Sequence, residues 1–412
     1  QNEPTDTWSV RSWGTGQFLS QPTFEPGTVG EILVIGGPMV RDRKGTTMKK
    51  VLLGTTALAV ASFVGAQQAK AQFEVTVGGY TEQKFGYASV DVDGANGDFD
   101  GFDVKSDSEI HFKAAQTLEN GLTFGFEVQL EAESNTGDQI DESFLFVQGS
   151  FGQLLVGSEN TAGYKMTYAA PDVGFVNINS GDQTNWQPFI GLNAGFFRRV
   201  FGTTFIELDG NNDAQRLTYF TPRWNGLQIG ASYTPDSAQD NQSQFAETRD
   251  FKNAFDIGAN YVNTFSGVDV AISGRYGIAD DDSSSGAATV PGSPGDVDTD
   301  SPELWSVGLN LGYAGVTIGG SYAEADAQGV NTGRSYDAGI SYETGPWGAS
   351  FTYFHGEARG SLVNPGDDEQ DSYQFSVTYA MGPGVLIEGN VTRSEFDDDG
   401  GIDEDVTYGL VG

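Results

Sequence analysis

The sequence predicts an all-β fold: a 16-stranded antiparallel transmembrane β-barrel with an inward-folded long third loop. Three observations predict it. Segments of about ten residues alternate apolar and polar side chains, tight Gly- or Pro-marked turns alternate with longer acidic connections, and no apolar run is long enough for a spanning helix. A barrel that crosses lipid satisfies its backbone by pairing between strands, so its segments alternate rather than forming solid apolar runs.

The first 71 residues stand apart from this pattern. Met48 opens a segment with a basic start at Lys49 and Lys50, an apolar stretch from Val51 to Val64, and Ala69-Lys70-Ala71 before Gln72. That is the layout of a secretory signal peptide: the apolar stretch is too short for a bilayer, and the small residues suit a signal peptidase. Because such a peptide acts at a chain's beginning, translation is expected to start at Met48. Residues 1–47 are then upstream sequence outside the fold, 48–71 the signal peptide and 72–412 the barrel.

From Gln72 onward the period is two. Leu122, Phe124, Phe126, Val128 and Leu130 fall on one face, with Thr123, Glu127, Gln129 and Glu131 on the other. Val268, Val270 and Ile272 separate in the same way from Asp269, Ser273 and Arg275, as do Tyr373, Phe375, Val377 and Tyr379 from Gln374, Ser376 and Thr378. Nearly every apolar face ends in Tyr, Phe or Trp, which fits a girdle at the lipid boundary better than the inside of a soluble sandwich.

The turns supply the strand count. Tight ones lie at Asn120-Gly121, Ser150 to Gly152, Asn225-Gly226, Ser266-Gly267, Gly315, Gly345-Pro346 and Gly382 to Gly384. Longer connections lie near 91–104, 134–139, 158–213, 236–250, 280–302, 326–333, 359–371 and 396–405. Seven short turns alternating with eight long loops give sixteen strands, with both chain ends on the short-turn, periplasmic side. The last strand, Val406 to Gly412, looks truncated, since about 9–11 residues are needed to cross.

Composition narrows the function. A net charge of −36 argues against nucleic acid, whose phosphates need clustered Lys and Arg, and the acid concentrated in the loops would repel anions and gather cations. The absence of Cys removes disulfides, thiolate metal sites and thiol nucleophiles. Only His111 and His355 are present, far apart and without triad or metal-ligand spacing, which speaks against an enzyme.

Gln116-Thr117-Leu118-Glu119-Asn120-Gly121-Leu122-Thr123-Phe124-Gly125-Phe126 resembles a periplasmic hairpin of the alphaproteobacterial, Rhodobacter-type general porins. Gln215-Arg216-Leu217-Thr218-Tyr219, Pro222, Asn225-Gly226 and Gly230-Ala231-Ser232-Tyr233 are similar to that family's strand–turn–strand after the third loop. The likeness extends over residues 72–412. It implies an outer-membrane barrel in a Gram-negative bacterium, usually a homotrimer, whose third loop narrows a water-filled channel for small hydrophilic solutes and ions. The family's closing aromatic residue is missing here, in keeping with a truncated end.

Selectivity in such a channel needs a diameter and charges at the narrowest point. The candidate constriction is residues 158–213, longer than an ordinary hairpin loop and rich in aromatics. Within it Glu159, Asp172 and Asp182 are expected to supply negative charge. Alternation turns Lys113, Arg216 and Arg275 inward, so a basic wall is expected to oppose the acidic loop and set up a transverse field. Arg198 and Arg199 would either line the eyelet or pin the loop. Glu127, Glu131, Asp269 and Glu388 also face inward, and the balance favours a weak cation preference. Asp91, Asp93, Asp397 and Asp399 offer carboxylates for a weak Ca²⁺ site, although their spacing fits a solvated acidic loop better. The alternative function is a substrate-specific outer-membrane channel.

Overall fold

The computed structural model describes residues 73–93, 98–132, 139–180, 186–187, 198–208, 214–236, 251–281, 301–326, 332–359, 366–398 and 403–412. The segments assigned above to upstream sequence and signal peptide lie outside these residues.

Sixteen strands follow one another in the chain. They are β1 (Glu74–Asp93), β2 (Phe99–Thr117), β3 (Thr123–Glu131), β4 (Ile140–Gly149), β5 (Gly152–Ser158), β6 (Gln215–Phe220), β7 (Leu227–Asp236) and β8 (Phe251–Phe265), then β9 (Val268–Asp281), β10 (Glu303–Tyr313), β11 (Val316–Asp326), β12 (Gly333–Thr344), β13 (Trp347–Arg359), β14 (Asp367–Gly382), β15 (Val385–Asp398) and β16 (Asp403–Val411). Each pairs antiparallel with its neighbours in the chain, and β1 pairs with β16 from Phe85↔Val411 to Asp93↔Asp403, closing the barrel. Among the described residues of the long connection between β5 and β6 lies a short helix, α1 (Ala162–Met166).

All seven short turns fall where Gly marked them. In three, Asn225-Gly226, Ser266-Gly267 and Ala314-Gly315, both central residues have positive φ, the backbone that matches the right-handed twist of paired strands. Along each strand side chains alternate between lipid and lumen. On β13, Trp347 and Phe351 are exposed while Ser350, Thr352 and Phe354 are buried inside. Trp347 packs on Tyr379 with ring centroids 4.6 Å apart, and Tyr353 on Tyr373 at 5.0 Å, forming part of the aromatic girdle.

The acidic stretches at 91–104 and 396–405, read above as loops, are largely strand. Asp91 lies opposite Asp405 and Asp397 opposite Asp403, within continuous ladders. Pairing continues through them because carboxylates alternate there with large apolar residues. Val90, Val92, Phe396, Val406 and Tyr408 turn inward and form a buried cluster with Trp186 and Phe201 of the long connection. β16 accordingly begins at Asp403 rather than Val406, and the Gly412 backbone exchanges two hydrogen bonds with Glu388.

Candidate functional site

The described residues of the connection between β5 and β6 lie inside the barrel, and their attachment is legible bond by bond. Arg216 of β6 donates to the Glu159 carbonyl. Ser232 of β7 accepts from Ala162 N–H at 2.8 Å, Asp256 of β8 from Gly163 N–H at 2.5 Å, and Ser273 of β9 from Tyr168 N–H at 2.8 Å. Asp337 of β12 accepts from Ala170 N–H at 2.8 Å, Ser350 of β13 from Val173 N–H at 3.1 Å, and Glu388 of β15 from Phe175 N–H. Gln374 of β14 donates to the Val176 carbonyl at 2.6 Å. An irregular backbone cannot satisfy itself, so the wall supplies partners for it one strand at a time.

A second leg returns along the same wall. Ser335 of β12 donates to the Thr203 carbonyl at 2.9 Å, Ser321 of β11 meets the Thr204 hydroxyl at 2.6 Å, and Arg275 of β9 donates to the Ile206 carbonyl at 2.5 Å. The two legs are tied to each other where Thr161 donates through its hydroxyl to Glu207 at 2.9 Å. Beneath them Ile206 and Leu208 pack with Ala254, Ala279, Leu304 and Ala323. Trp186 reaches across to β16 and β1, stacking on Tyr408 at 6.2 Å, while Lys105 of β2 sits 5.3 Å from its ring.

This arrangement reassigns several predicted pore charges. Arg216 and Arg275, expected to form an open basic wall, are buried with their guanidiniums on loop carbonyls; Arg275 also pairs with Asp256 at 2.5 Å. Glu159 is buried in an ion pair with Lys165 at 2.8 Å. Asp172 accepts from Gly174 N–H and the Ser350 hydroxyl, both at 2.8 Å, and Glu388 is a buried anchor. Burial holds the Asp172 carboxyl above the usual carboxylate range, partly offset by those hydrogen bonds. Long charged side chains in this seam satisfy backbone that the strand pattern does not reveal, so alternation alone assigned them to open water. Arg198 stacks on Tyr164 at 3.9 Å and donates to Asn160 at 2.6 Å, pinning the loop to itself; Arg199 lies half-buried beside it. Asp182 lies outside the described residues.

The remaining charges sit on other stretches of wall. Lys113 pairs with Glu127 at 2.6 Å, and Glu127 also accepts from Gln129 at 3.0 Å. His111 meets Glu109 at 2.6 Å, and Glu109 accepts from the Tyr80 hydroxyl at 2.7 Å. Glu131 brings its carboxylate within 4.8 Å of Glu109 and Asp141, the one group of metal-ligand spacing among the described residues. Asp269 is exposed beside a short turn, accepting from Thr264 at 2.7 Å, well away from the loop. Asp91 and Asp397 stand on the barrel's outward face in β1 and β15 and form no such group among the described residues; the Asp93 side chain and Asp399 lie outside them.

The wall anchors Asp256 and Asp337 went unrecognised in the sequence, and so did the glycines that admit the loop. A Cβ on Gly258 of β8 would come within 2.7 Å of the Gly163 Cα, and one on Gly308 of β10 or Gly356 of β13 would overlap a loop carbonyl. The available signal was a Gly among small polar residues on the inward face of a long strand.

Residues 54–399 match the family model described as Gram-negative porin. A monosaccharide porin of a Halomonas species is 24% identical over 399 residues, covering 88% of this chain and 100% of the relative. The major outer membrane protein of Halomonas elongata gives the same figures. Of solved structures, the anion-selective porin from Comamonas acidovorans superposes with a TM-score of 0.51 at 15% identity, covering 82% of this chain and 99% of that one. In-vitro folded OmpT, an outer membrane protein of Vibrio cholerae, does so with a TM-score of 0.51 at 12% identity, covering 84% and 99%.

Proposed function

Because the chain belongs to the Gram-negative porin family and forms an outer-membrane channel, we propose that it passes small hydrophilic solutes and ions by passive diffusion, with a weak preference for cations. The observation that carries the preference is the charge on β1 to β4. Most of the wall hydrogen bonds of the loop's described parts go to β6 through β15, with Asn160 on Glu142 of β4 at 3.0 Å and Trp186 packed against β1 and β16 besides, and they consume Arg216 and Arg275. On the opposite wall, Glu82, Asp103, Asp107, Glu109, Glu127, Glu131 and Asp141 outnumber Lys84, Lys105 and Lys113. A water-filled passage running between loop and that wall has a negative lining, which raises local cation concentration and opposes anions.

The working assembly is read as a homotrimer in lipid. Thr81 and Ser108 hydrogen-bond to each other at 2.8 Å on the outward side of β1 and β2, with Gln83 and Ser106 exposed beside them, where lipid would favour apolar side chains. A neighbouring copy covers such groups better than hydrocarbon does.

Swelling of liposomes carrying the purified protein, in graded neutral sugars, tests the diffusion reading. Entry rates should fall smoothly with solute size. A single sugar entering far faster than others of its size would favour the second reading, a channel specific for one solute class, which the Halomonas monosaccharide porin brings forward.

A further inference from the structure

The buried pair Asp256–Arg275 stands where both legs of the inward loop meet the wall, and it has a partner on each. Asp256 Oδ1 accepts from Gly163 N–H of the outgoing leg at 2.5 Å, and its Oδ2 meets Arg275 Nη2 at 2.5 Å. Arg275 Nη1 donates to the Ile206 carbonyl of the returning leg at 2.5 Å, while Nη2 also lies 3.4 Å from the Thr161 hydroxyl. Ser232, Ser273, Ser350 and Gln374 bond the outgoing leg and Ser335 and Ser321 the returning one, while Asp337 takes Ala170 N–H and the Asn179 amide at 2.6 Å. Asp337 bonds no arginine; its remaining bonds go to Ser321 of β11.

Resting on the channel reading above, we propose that Asp256 and Arg275 are positioning residues for permeation: together they clamp both legs of the loop and so set the pore's cross-section. The planar guanidinium is suited to this because its fork presents donors in several fixed directions at once, which a lysine ammonium on a flexible stem does not reproduce. The carboxylate orients that fork and simultaneously takes the N–H at the start of α1, so losing either partner loosens both legs at this point. Gly258 lets the outgoing leg approach this close; its missing Cβ would lie 2.7 Å from the Gly163 Cα.

The test compares wild type, Arg275→Lys, Arg275→Met and the double variant Asp256→Asn/Arg275→Met, all as full-length folded barrels in planar bilayers. The Met variant leaves a buried carboxylate unpaired and is expected to melt earlier; the double variant removes that charge and is expected to recover much of the loss. Open-channel current noise and the size limit for neutral solutes should nevertheless change in all three variants, with noise rising about twofold or more as the narrowest point becomes mobile. Arg334→Met, which breaks an exposed outward ion pair with Glu357, should leave both readouts unchanged. A double variant that melts like wild type and also conducts with wild-type noise and size limit overturns the proposal. Wild-type protein that forms no conducting pore would instead sink the channel reading on which it rests.

Discussion

Gly308 on β10 lies directly under the Tyr168 carbonyl of the inward loop, so close that any side-chain carbon there would overlap the oxygen. The same Tyr168 donates its N–H to Ser273 of β9 at 2.8 Å. The loop therefore rests on bare backbone and is held by a hydroxyl one strand away. Its height above the wall follows from what the wall lacks.

Gly308→Ala should lift this part of the loop toward the lumen. The expected result is a smaller single-channel conductance in a barrel that still forms, with a stability loss of about 1–3 kcal/mol from overpacking. Bilayer recordings paired with thermal melts of the detergent-solubilised protein check both parts.

Trp186 is almost fully buried between β1 and β16, stacked on Tyr408 and lying against Gly86. Trp186→Ala should cost about 3–5 kcal/mol if the cavity stays empty, and less if the loop collapses into it. The collapse would register as a changed solute size limit, so melting and liposome swelling together distinguish the two outcomes.

Asp172 gives a pH-dependent prediction. It lies outside the strands, and burial raises its carboxyl above the ordinary value. A group raised on folding contributes most to stability below its unfolded pKa and loses that contribution as pH rises through its folded one. Asp172→Asn keeps an acceptor for Gly174 and Ser350 but cannot ionise. Its melting temperature relative to wild type should therefore improve from acid toward neutral pH. A difference that stays flat with pH would contradict the assignment.

Most of the architecture was legible because each strand carries its own instructions. Asn225-Gly226 and Ser266-Gly267 specify turns locally, and alternation such as Phe124, Phe126, Val128 against Glu127, Gln129 specifies a lipid face and a water face. What alternation does not distinguish is an inward residue facing water from one facing the loop. Arg275, Lys113 and Glu388 read alike in sequence, yet Arg275 and Glu388 bond loop backbone whereas Lys113 pairs with a neighbouring wall carboxylate. That difference arises from contacts between residues tens to hundreds of positions apart, such as Gln374 with Val176, and short-range periodicity carries no trace of them. The acidic strand ends were missed for a related reason: Asp91 and Asp397 resemble loop residues until Val92 and Phe396 are seen packing inward.

Neutralising the wall of β2 to β4 should weaken selectivity without altering size. In the combined variant Glu109→Gln, Glu131→Gln, Asp141→Asn, the ratio of cation to anion permeability should fall by about twofold or more while neutral-solute entry stays near wild type.

The measurement that tests the reading most directly is the reversal potential of the wild-type channel in a potassium chloride gradient across a planar bilayer. With most of the loop's wall hydrogen bonds on β6 through β15 and carboxylates outnumbering lysines on β1 to β4, the potential should have the sign of potassium excess and shrink toward zero as salt screens the wall. A potential with the sign of chloride excess would contradict it.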